Sequence, residues 1–141
     1  MSKRILVGVD DSEQAAAALS FATDEWPDAE LVLLAVVDPA GGGFAARRGV
    51  STGTEERYER ERTEAESRLA ETADSLEFDG IVETATTVGK PAAGIVEYAG
   101  DDGVDHIVVG SHGRRGISRV LLGSVAEAVV RNAPVPVTVV R

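Results

Sequence analysis

The stretch from Val104 to Val125 reads Val-Asp-His-Ile-Val-Val-Gly-Ser-His-Gly-Arg-Arg-Gly-Ile-Ser-Arg-Val-Leu-Leu-Gly-Ser-Val, and the rest of the chain is organised around it. A short apolar segment, residues 107–109, predicts a strand that runs directly into Gly110 and Gly113. Glycines let the backbone approach an anion closely, and such a turn after a strand is typical of phosphate sites.

A helix is predicted to begin at Gly123-Ser124, nine intervening residues after Gly113, and its first turns are rich in Ala and Val. The free amide groups at a helix N-terminus carry about half a positive charge from the macrodipole, which favours an anion there. Ser124 can cap this helix and still offer its hydroxyl group to a ligand. A Cβ at Gly113 or Gly123 would occupy ligand space or forbid a turn with positive φ.

The remaining secondary structure is predicted from hydrophobic patterning. Residues 5–9 and 31–37 are continuous apolar runs, which predict strands buried on both faces of a parallel sheet. Residues 81–88 alternate in polarity and predict a more peripheral strand, and residues 135–140 predict the last strand. Helices are predicted to start after each of the first four strands, at Asp11 or Ser12, Thr54, Pro91 and Ser124.

Alternation of strand and helix predicts an α/β fold, a single doubly wound, Rossmann-like sheet of five parallel strands with helices on both faces. Ligands of such sheets bind outside the carboxyl ends of the strands, where the winding direction switches. Asp10 follows the first strand and Gly110 follows the fourth. Both would reach one crevice if those strands were neighbours, and the residue pattern alone leaves the strand order open.

Length and composition bound the class of protein. A chain of 141 residues predicts one domain, residues 1–141, interrupted by a glycine-rich loop over about 39–53 that is either a lid or simply disordered. Cysteine is absent, which excludes disulfides and thiolate metal sites. The first apolar run ends at Asp10, too early for a signal peptide, and no run is long enough to span a bilayer. We therefore expect a cytoplasmic protein without membrane contact.

The net charge is −10, and only Lys3 and Lys90 of the fourteen basic residues are lysine. This acidity argues against general nucleic-acid binding, which requires a basic face. The acidity is typical either of a protein from a high-salt cytoplasm, where ions screen the repulsion, or of an ordinary protein kept soluble by acidic side chains. Residues 110–123 differ from the rest, because they hold three arginines and no acidic residue. A local positive charge there suits a triphosphate.

The spacing Gly-x2-Gly-x9-Gly-Ser resembles the nucleotide-binding signature of the universal stress protein family, in its ATP-binding branch. Three more segments match the family in order, and the resemblance covers the whole chain. They are Ile-Leu-Val-Gly-Val-Asp-Asp-Ser at 5–12, Leu-Leu-Ala-Val-Val-Asp at 33–38 and Pro-Val-Pro-Val-Thr-Val-Val at 134–140. The resemblance implies the strand order 3-2-1-4-5 and a dimeric ATP-binding regulatory module for a stress or energy response. The implied homodimer forms through the last strand, residues 135–140.

The resemblance also implies roles for residues outside the glycine signature. Gly8, Val36 and Val109 would border the adenine, although without the resemblance both valines are simply core residues. Asp10 would meet a ribose hydroxyl or a divalent cation, Mg²⁺ or Mn²⁺, near the phosphates. A carboxylate at that position could instead serve as a helix cap, a role that Asp11 can also fill.

The phosphates are expected to lie on the backbone amide groups of the signature stretch. The residues expected to hold them are Gly110, Gly113, Arg114, Gly116, Gly123, Ser124 and Val125. Arg114 would add positive charge, and the alternative is an exposed arginine on a solvated loop.

An enzyme that uses the same pocket, a slow ATPase or a nucleotidyl transferase, is the competing hypothesis. The sequence offers no evident general base and no Walker motif, which favours binding over catalysis. A phosphoacceptor receiver domain is rejected because Thr87-Val88-Gly89 and Arg141 stand where that family needs an Asp and a Lys. A dinucleotide site is rejected because no Gly-x-Gly-x-x-Gly follows the first strand.

Overall fold

The structure is a computed structural model that describes residues 2–10, 12–39, 54–111 and 122–141. Strands and helices alternate through these residues, as the sequence predicts. In chain order they are β1 Arg4–Gly8, α1 Glu13–Glu25, β2 Glu30–Val37, α2 Thr54–Ser75, β3 Val82–Val88, α3 Pro91–Asp102, β4 His106–Gly110, α4 Ser124–Asn132 and β5 Val137–Val140. The loop predicted over about 39–53 lies outside the described residues beyond Pro39.

The described strands form one parallel sheet in the order β3-β2-β1-β4-β5, which confirms the doubly wound fold and its strand order. Val7 is paired with Leu33 of β2 on one side and with Val108 of β4 on the other. Successive connections run outward from β1 to β2 and β3, and the chain then crosses to β4 and β5 on the other side. The switch in winding direction therefore lies between β1 and β4.

The helices cover both faces of the sheet. One core cluster joins α1 and α2 to Ile5, Val7 and Val108, and the other joins α3 and α4 to Leu6 and Ile107. Adjacent residues of β1 thus belong to opposite clusters, because successive strand side chains point to opposite faces. Burial on both faces explains why β1, β2 and β4 read as continuous apolar runs.

Helix α1 is set by a capping serine at its start and by small residues on its buried face. The Ser12 hydroxyl oxygen accepts a hydrogen bond of 3.0 Å from the Ala15 amide, so Ser12 is the N-cap that the sequence left open between two residues. The inner face of α1 is buried at Ala15, Ala18, Leu19 and Ala22. Helix α2 buries Ala65 and Leu69 most deeply.

An ion-pair network that the sequence does not reveal joins three neighbouring strands at their amino ends. The Arg4 guanidinium donates to Glu83 at 2.7 Å, to Asp102 at 2.8 Å and to Glu30 at 3.4 Å. The hydrogen bond to Glu83 is the main cause that raises the pKa of Arg4 above its usual range. Arg4, Glu30 and Glu83 belong to β1, β2 and β3, so this network holds the amino edge of the sheet together.

Candidate functional site

The carboxyl ends of β1 and β4 lie side by side at the switch point. The parallel register places Leu6 beside Ile107 and Val7 beside Val108, so the residues that follow each strand emerge at the same edge. Beyond β1 the Val9 amide donates to the Leu34 carbonyl at 2.8 Å, which extends the paired backbone towards Asp10. Asp10 and Gly110 therefore lie at the ends of two neighbouring strands, at the same edge of the sheet.

The N-terminus of α4 is tied to the end of β4. The Gly123 amide donates a hydrogen bond of 2.7 Å to the carbonyl oxygen of Ser111, the residue after β4. The first helical hydrogen bond of α4 runs from the Glu127 amide to the Gly123 carbonyl, at 3.0 Å. The amide groups of Ser124 and Val125 precede that bond and belong to the positive end of the helix.

The prediction that Ser124 caps α4 is wrong. Gly123 is the N-cap, with extended φ and ψ of −68° and 163°, and no side chain caps the helix. Ser124 is the first helical residue and is exposed. Its hydroxyl is therefore not the cap of α4.

The φ of Gly123 rules out one of the two reasons for expecting a glycine there, a turn with positive φ. A φ of −68° is accessible to any residue, so Gly123 does not serve a positive-φ turn. The remaining reason is space, since a side chain at this N-cap would stand beside the free amide groups.

Gly110 has a structural role that the sequence does not reveal. A Cβ atom at this position would lie 2.7 Å from the Gln14 Cβ atom and 2.8 Å from Gln14 backbone atoms. Real Cβ atoms do not approach backbone so closely, so Gly110 lets the first turn of α1 pack directly on the end of β4. Part of the glycine signature is thus explained by helix–strand packing rather than by a ligand.

The three residues expected around an adenine share one face of the sheet but differ in burial. Gly8 and Val109 lie close together, since a Cβ at Gly8 would stand 3.5 Å from the Val109 Cγ1 atom. Val109 is only 4% exposed, whereas Val36 is partly exposed. Val36 packs against α3, where a Cβ at Gly94 would meet both of its methyl groups at 2.9 Å. Gly8 of β1 and Val109 of β4 are therefore close together, whereas Val36 lies on β2, on the other side of β1.

Asp10 is exposed, and its Oδ1 atom accepts a hydrogen bond of 2.8 Å from the Ser12 amide. This bond shapes the turn into α1, so Asp10 has a structural role near the helix start even though Ser12 is the cap. Within the described ranges, no group of three or more His, Asp or Glu side chains could hold a metal ion. One carboxylate still fits Mg²⁺ bound to a nucleotide, because phosphates and water supply most ligands of such an ion.

Three predicted phosphate-site residues, Gly113, Arg114 and Gly116, lie outside the described residues, and so does Asp11. The described part of the predicted site consists of the ends of β1 and β4, Val36 and the start of α4. What these residues offer is a helix N-terminus beside two strand ends, with a carboxylate at one of them. This arrangement can bind an anionic group that carries a neighbouring hydroxyl or cation.

A parallel α/β sheet with an open crevice at its switch point defines a large class of ligand-binding proteins. Within that class, the model of the universal stress protein family matches residues 1–141, and the chain belongs to this family. Universal stress protein MJ0577 of Methanocaldococcus jannaschii is 35% identical over 156 residues, an alignment that covers 100% of this chain and 96% of the relative.

Solved structures agree with the family. The structure of MJ0577 has a TM-score of 0.81 and 32% identity, and the match covers 99% of this chain and 96% of that one. Universal stress protein UspA of Lactobacillus plantarum has a TM-score of 0.75 and 31% identity, with 99% of this chain and 97% of that one covered. Both confirm the fold over nearly the full length.

More distant structures with the same fold hold adenine nucleotides. An Arabidopsis thaliana protein with bound AMP is 16% identical, with a TM-score of 0.67 and coverage of 98% and 90%. An Archaeoglobus fulgidus protein in complex with dAMP is 20% identical, with a TM-score of 0.61 and coverage of 100% and 98%. A universal stress protein in complex with cAMP is 24% identical, with a TM-score of 0.59 and coverage of 99% and 96%. For this chain these likenesses establish the fold.

Proposed function

We propose that this protein is an ATP-binding regulatory module and that the nucleotide lies in the crevice between β1 and β4. The observation that carries the proposal is the 2.7 Å hydrogen bond from the Gly123 amide to the Ser111 carbonyl. It holds the positive end of α4 beside the carboxyl ends of the two central strands, where a phosphate group gains most from the amide groups.

The adenine is assigned to the face of the sheet covered by α3 and α4. A Cβ at Gly8 would lie 3.3 Å from the Ile95 Cδ1 atom of α3, so a larger residue would crowd this face, and the partly exposed Val36 offers an apolar surface to a flat base. Val109 is only 4% exposed, so we expect it to pack beneath the adenine site and to make little direct contact with the ligand. Asp10 would accept a hydrogen bond from a ribose hydroxyl group or contact a divalent cation near the phosphates.

The phosphates are assigned to the amide groups of Gly123, Ser124 and Val125 and to the residues from Gly113 to Gly116. For the latter the support is their sequence, which combines two glycines with Arg114 and Arg115. Mg²⁺ or Mn²⁺ would arrive with the nucleotide and contact Asp10, because a single carboxylate is a weak site for a free ion. Adenine nucleotides held by other proteins of this fold support the choice of base.

The proposed biological role is regulation in a stress or energy response, within the cytoplasm and without nucleic acid. The proposed homodimer forms through residues 135–140, since β5 is an edge strand whose residues are all partly exposed. In the described residues no helix is both long and apolar enough to cross a membrane. Catalysis of ATP hydrolysis or nucleotidyl transfer is the alternative role of the same crevice.

Native mass spectrometry and calorimetry on the purified protein test the proposal. We expect the protein to carry or bind one adenine nucleotide per chain, and to bind Mg²⁺ only when the nucleotide is present. Failure to bind ATP with Mg²⁺ at millimolar concentration contradicts the nucleotide proposal. ATP turnover that disappears in a Gly123→Val variant would favour the enzyme over the regulatory module.

A further inference from the structure

A groove of about 530 Å³ runs along α1 on the face of the sheet that α1 and α2 cover. The proposed adenine contacts lie on the other face, so the groove is not the pocket for the base. Its floor is apolar and includes Val9, Leu19 and Leu76. Its volume is within the range of about 300–1,000 Å³ that small-molecule sites occupy in proteins.

Carboxylates stand at the two ends of this groove. Asp10 lies at the end next to the N-terminus of α1, whereas Asp24 lies in the last turn of that helix. Glu77 joins Asp24 there, because α1 and α2 both run antiparallel to the strands and finish at the same end of the sheet. The helix rise of 1.5 Å per residue separates Ser12 from Asp24 by about 18 Å.

Hydroxyl groups add hydrogen-bond acceptors along the groove and near its Asp24 and Glu77 end. Ser20, Thr23 and Thr72 line the groove, and its described lining includes no lysine or arginine. The groove is therefore apolar along its floor, rich in acceptors at its sides and negative at both ends. An anionic ligand is repelled, and a simple cation leaves the apolar floor uncovered.

We propose that this groove binds a linear polyamine. In the nucleotide-free protein, ammonium groups at the two ends of the polyamine pair with Asp10 at one end and with Asp24 and Glu77 at the other, while its methylene chain covers the apolar floor. Charge complementarity and length select this ligand over a single metal ion, because only an extended cation reaches both ends. The binding of apolar methylenes adds free energy that a hydrated divalent ion does not gain.

Isothermal titration calorimetry with spermine on the full chain, at a salt concentration of about 0.15 M where long-range attraction is screened, tests the proposal. We expect one saturable site. The double variant Asp24→Asn/Glu77→Gln should weaken spermine binding at least about tenfold, because it removes both carboxylates from one end of the groove. These residues lie outside the proposed nucleotide site, so ATP binding should be unchanged in this variant.

A matched double variant distinguishes spermine binding in the groove from nonspecific attraction of spermine to an acidic protein. Glu97→Gln/Asp101→Asn removes the same charge from exposed positions of α3, on the opposite face of the sheet. We expect it to leave spermine binding within about threefold of the wild type. An equal loss in both double variants, or the absence of a saturable site, overturns the proposal.

The apolar floor and the required length give a second test. Ala16 is an exposed residue that lines the groove, and Ala16→Leu fills part of it while conserving charge and helix propensity. It should weaken spermine binding, and 1,3-diaminopropane should bind more weakly than spermine because it reaches only one end. Equal affinity for both amines, or spermine binding unaffected by Ala16→Leu, contradicts the proposal.

Discussion

The amide of Gly123 donates a hydrogen bond of 2.7 Å to the carbonyl oxygen of Ser111, across an interval of twelve positions in the chain. This bond joins the residue that follows β4 to the N-cap of α4. Each end of the glycine signature is therefore held by the described scaffold. A ligand on the free amide groups of α4 would also stand beside the end of β1, because β1 is paired with β4.

Gly123→Val should abolish ATP binding while the fold is kept. The φ and ψ of −68° and 163° are accessible to valine, so the backbone need not move. The loss of an adequate N-cap costs about 1 kcal/mol or less, whereas the new side chain stands where the phosphates are proposed to bind. Calorimetry with ATP and circular dichroism check both expectations.

The matched control is Gly103→Val, at a glycine whose φ is 70°. Valine is strained there by about 1–3 kcal/mol, so this variant should be less stable and still bind ATP. Unchanged ATP affinity in Gly123→Val would remove the start of α4 from the site.

Ser124→Ala should weaken ATP binding about tenfold to a hundredfold. The hydroxyl is proposed to donate one hydrogen bond to a charged phosphate, worth about 1.5–3 kcal/mol. Stability should change little, because Ser124 is the first helical residue and not the cap. Titration calorimetry and thermal unfolding measure the two effects separately.

Ser12→Ala is the control for that variant. Ser12 does cap its helix, through the 3.0 Å hydrogen bond from Ala15, so its loss should cost about 1 kcal/mol of stability. ATP affinity should change by much less than in Ser124→Ala. The reverse pattern, with affinity lost only in Ser12→Ala, would show that the wrong helix start was assigned.

Val137→Lys should convert the proposed dimer into a monomer. Val137 lies in β5, the edge strand of the sheet, and a buried lysine ammonium would oppose pairing with a second copy. Light scattering should give twice the chain mass for the wild type and the chain mass for the variant. Ile81→Lys, at a 56% exposed position beside the opposite edge, should remain dimeric. A monomeric wild type would contradict the dimer outright.

His106 should make stability depend on pH below neutrality. Its Nε2 atom lies 2.7 Å from the Thr138 hydroxyl and its ring packs against Trp26, with centroids 4.8 Å apart. Burial, and secondarily the charge of Lys3, lower the pKa of His106. The folded state therefore takes up its proton at lower pH than the unfolded state does. Stability is full above the ordinary histidine pKa of about 6.5 and falls as pH decreases towards the lowered value.

Urea unfolding at a series of pH values measures this dependence. His106→Gln keeps a polar group near Thr138 but does not titrate, so part of the stability loss on acidification should disappear. His112→Gln, at the other histidine of the chain, serves as the comparison. A His106→Gln variant that loses stability as steeply as the wild type would exclude His106 as the cause.

Stability should rise with salt. The chain carries a net charge of −10, and the Debye length falls from about 10 Å at 0.1 M to about 3 Å at 1 M, which weakens repulsion. Salt also weakens the attraction within the Arg4 ion pairs, which would lower stability. This loss should be small, because the Arg4 side chain is only 19% exposed and is partly shielded from salt. A gain of about 1 kcal/mol in the free energy of unfolding would raise the melting temperature by roughly 4 °C. A flat or falling melting temperature would leave ordinary acidic solubility as the explanation.

The sequence by itself determined the classes of element and their order along the chain. Continuous apolar runs such as residues 31–37 can only be buried on both faces, and helices between them require a parallel sheet. Local chemistry also determined the start of α3 at Pro91 and restricted the cap of α1 to Asp11 or Ser12. These features depend on residues close together in the chain, which is why patterning is sufficient to predict them.

Only the tertiary structure showed through contacts which strands are neighbours, and why residue 110 is a glycine. Gly110 is required by Gln14, nearly a hundred residues earlier in the chain, and no local pattern contains that contact. The ion pairs of Arg4 and the groove beside α1 likewise arise from distant segments brought together by packing. Their energies depend on distances between those segments, and such distances exist only once the sheet has formed.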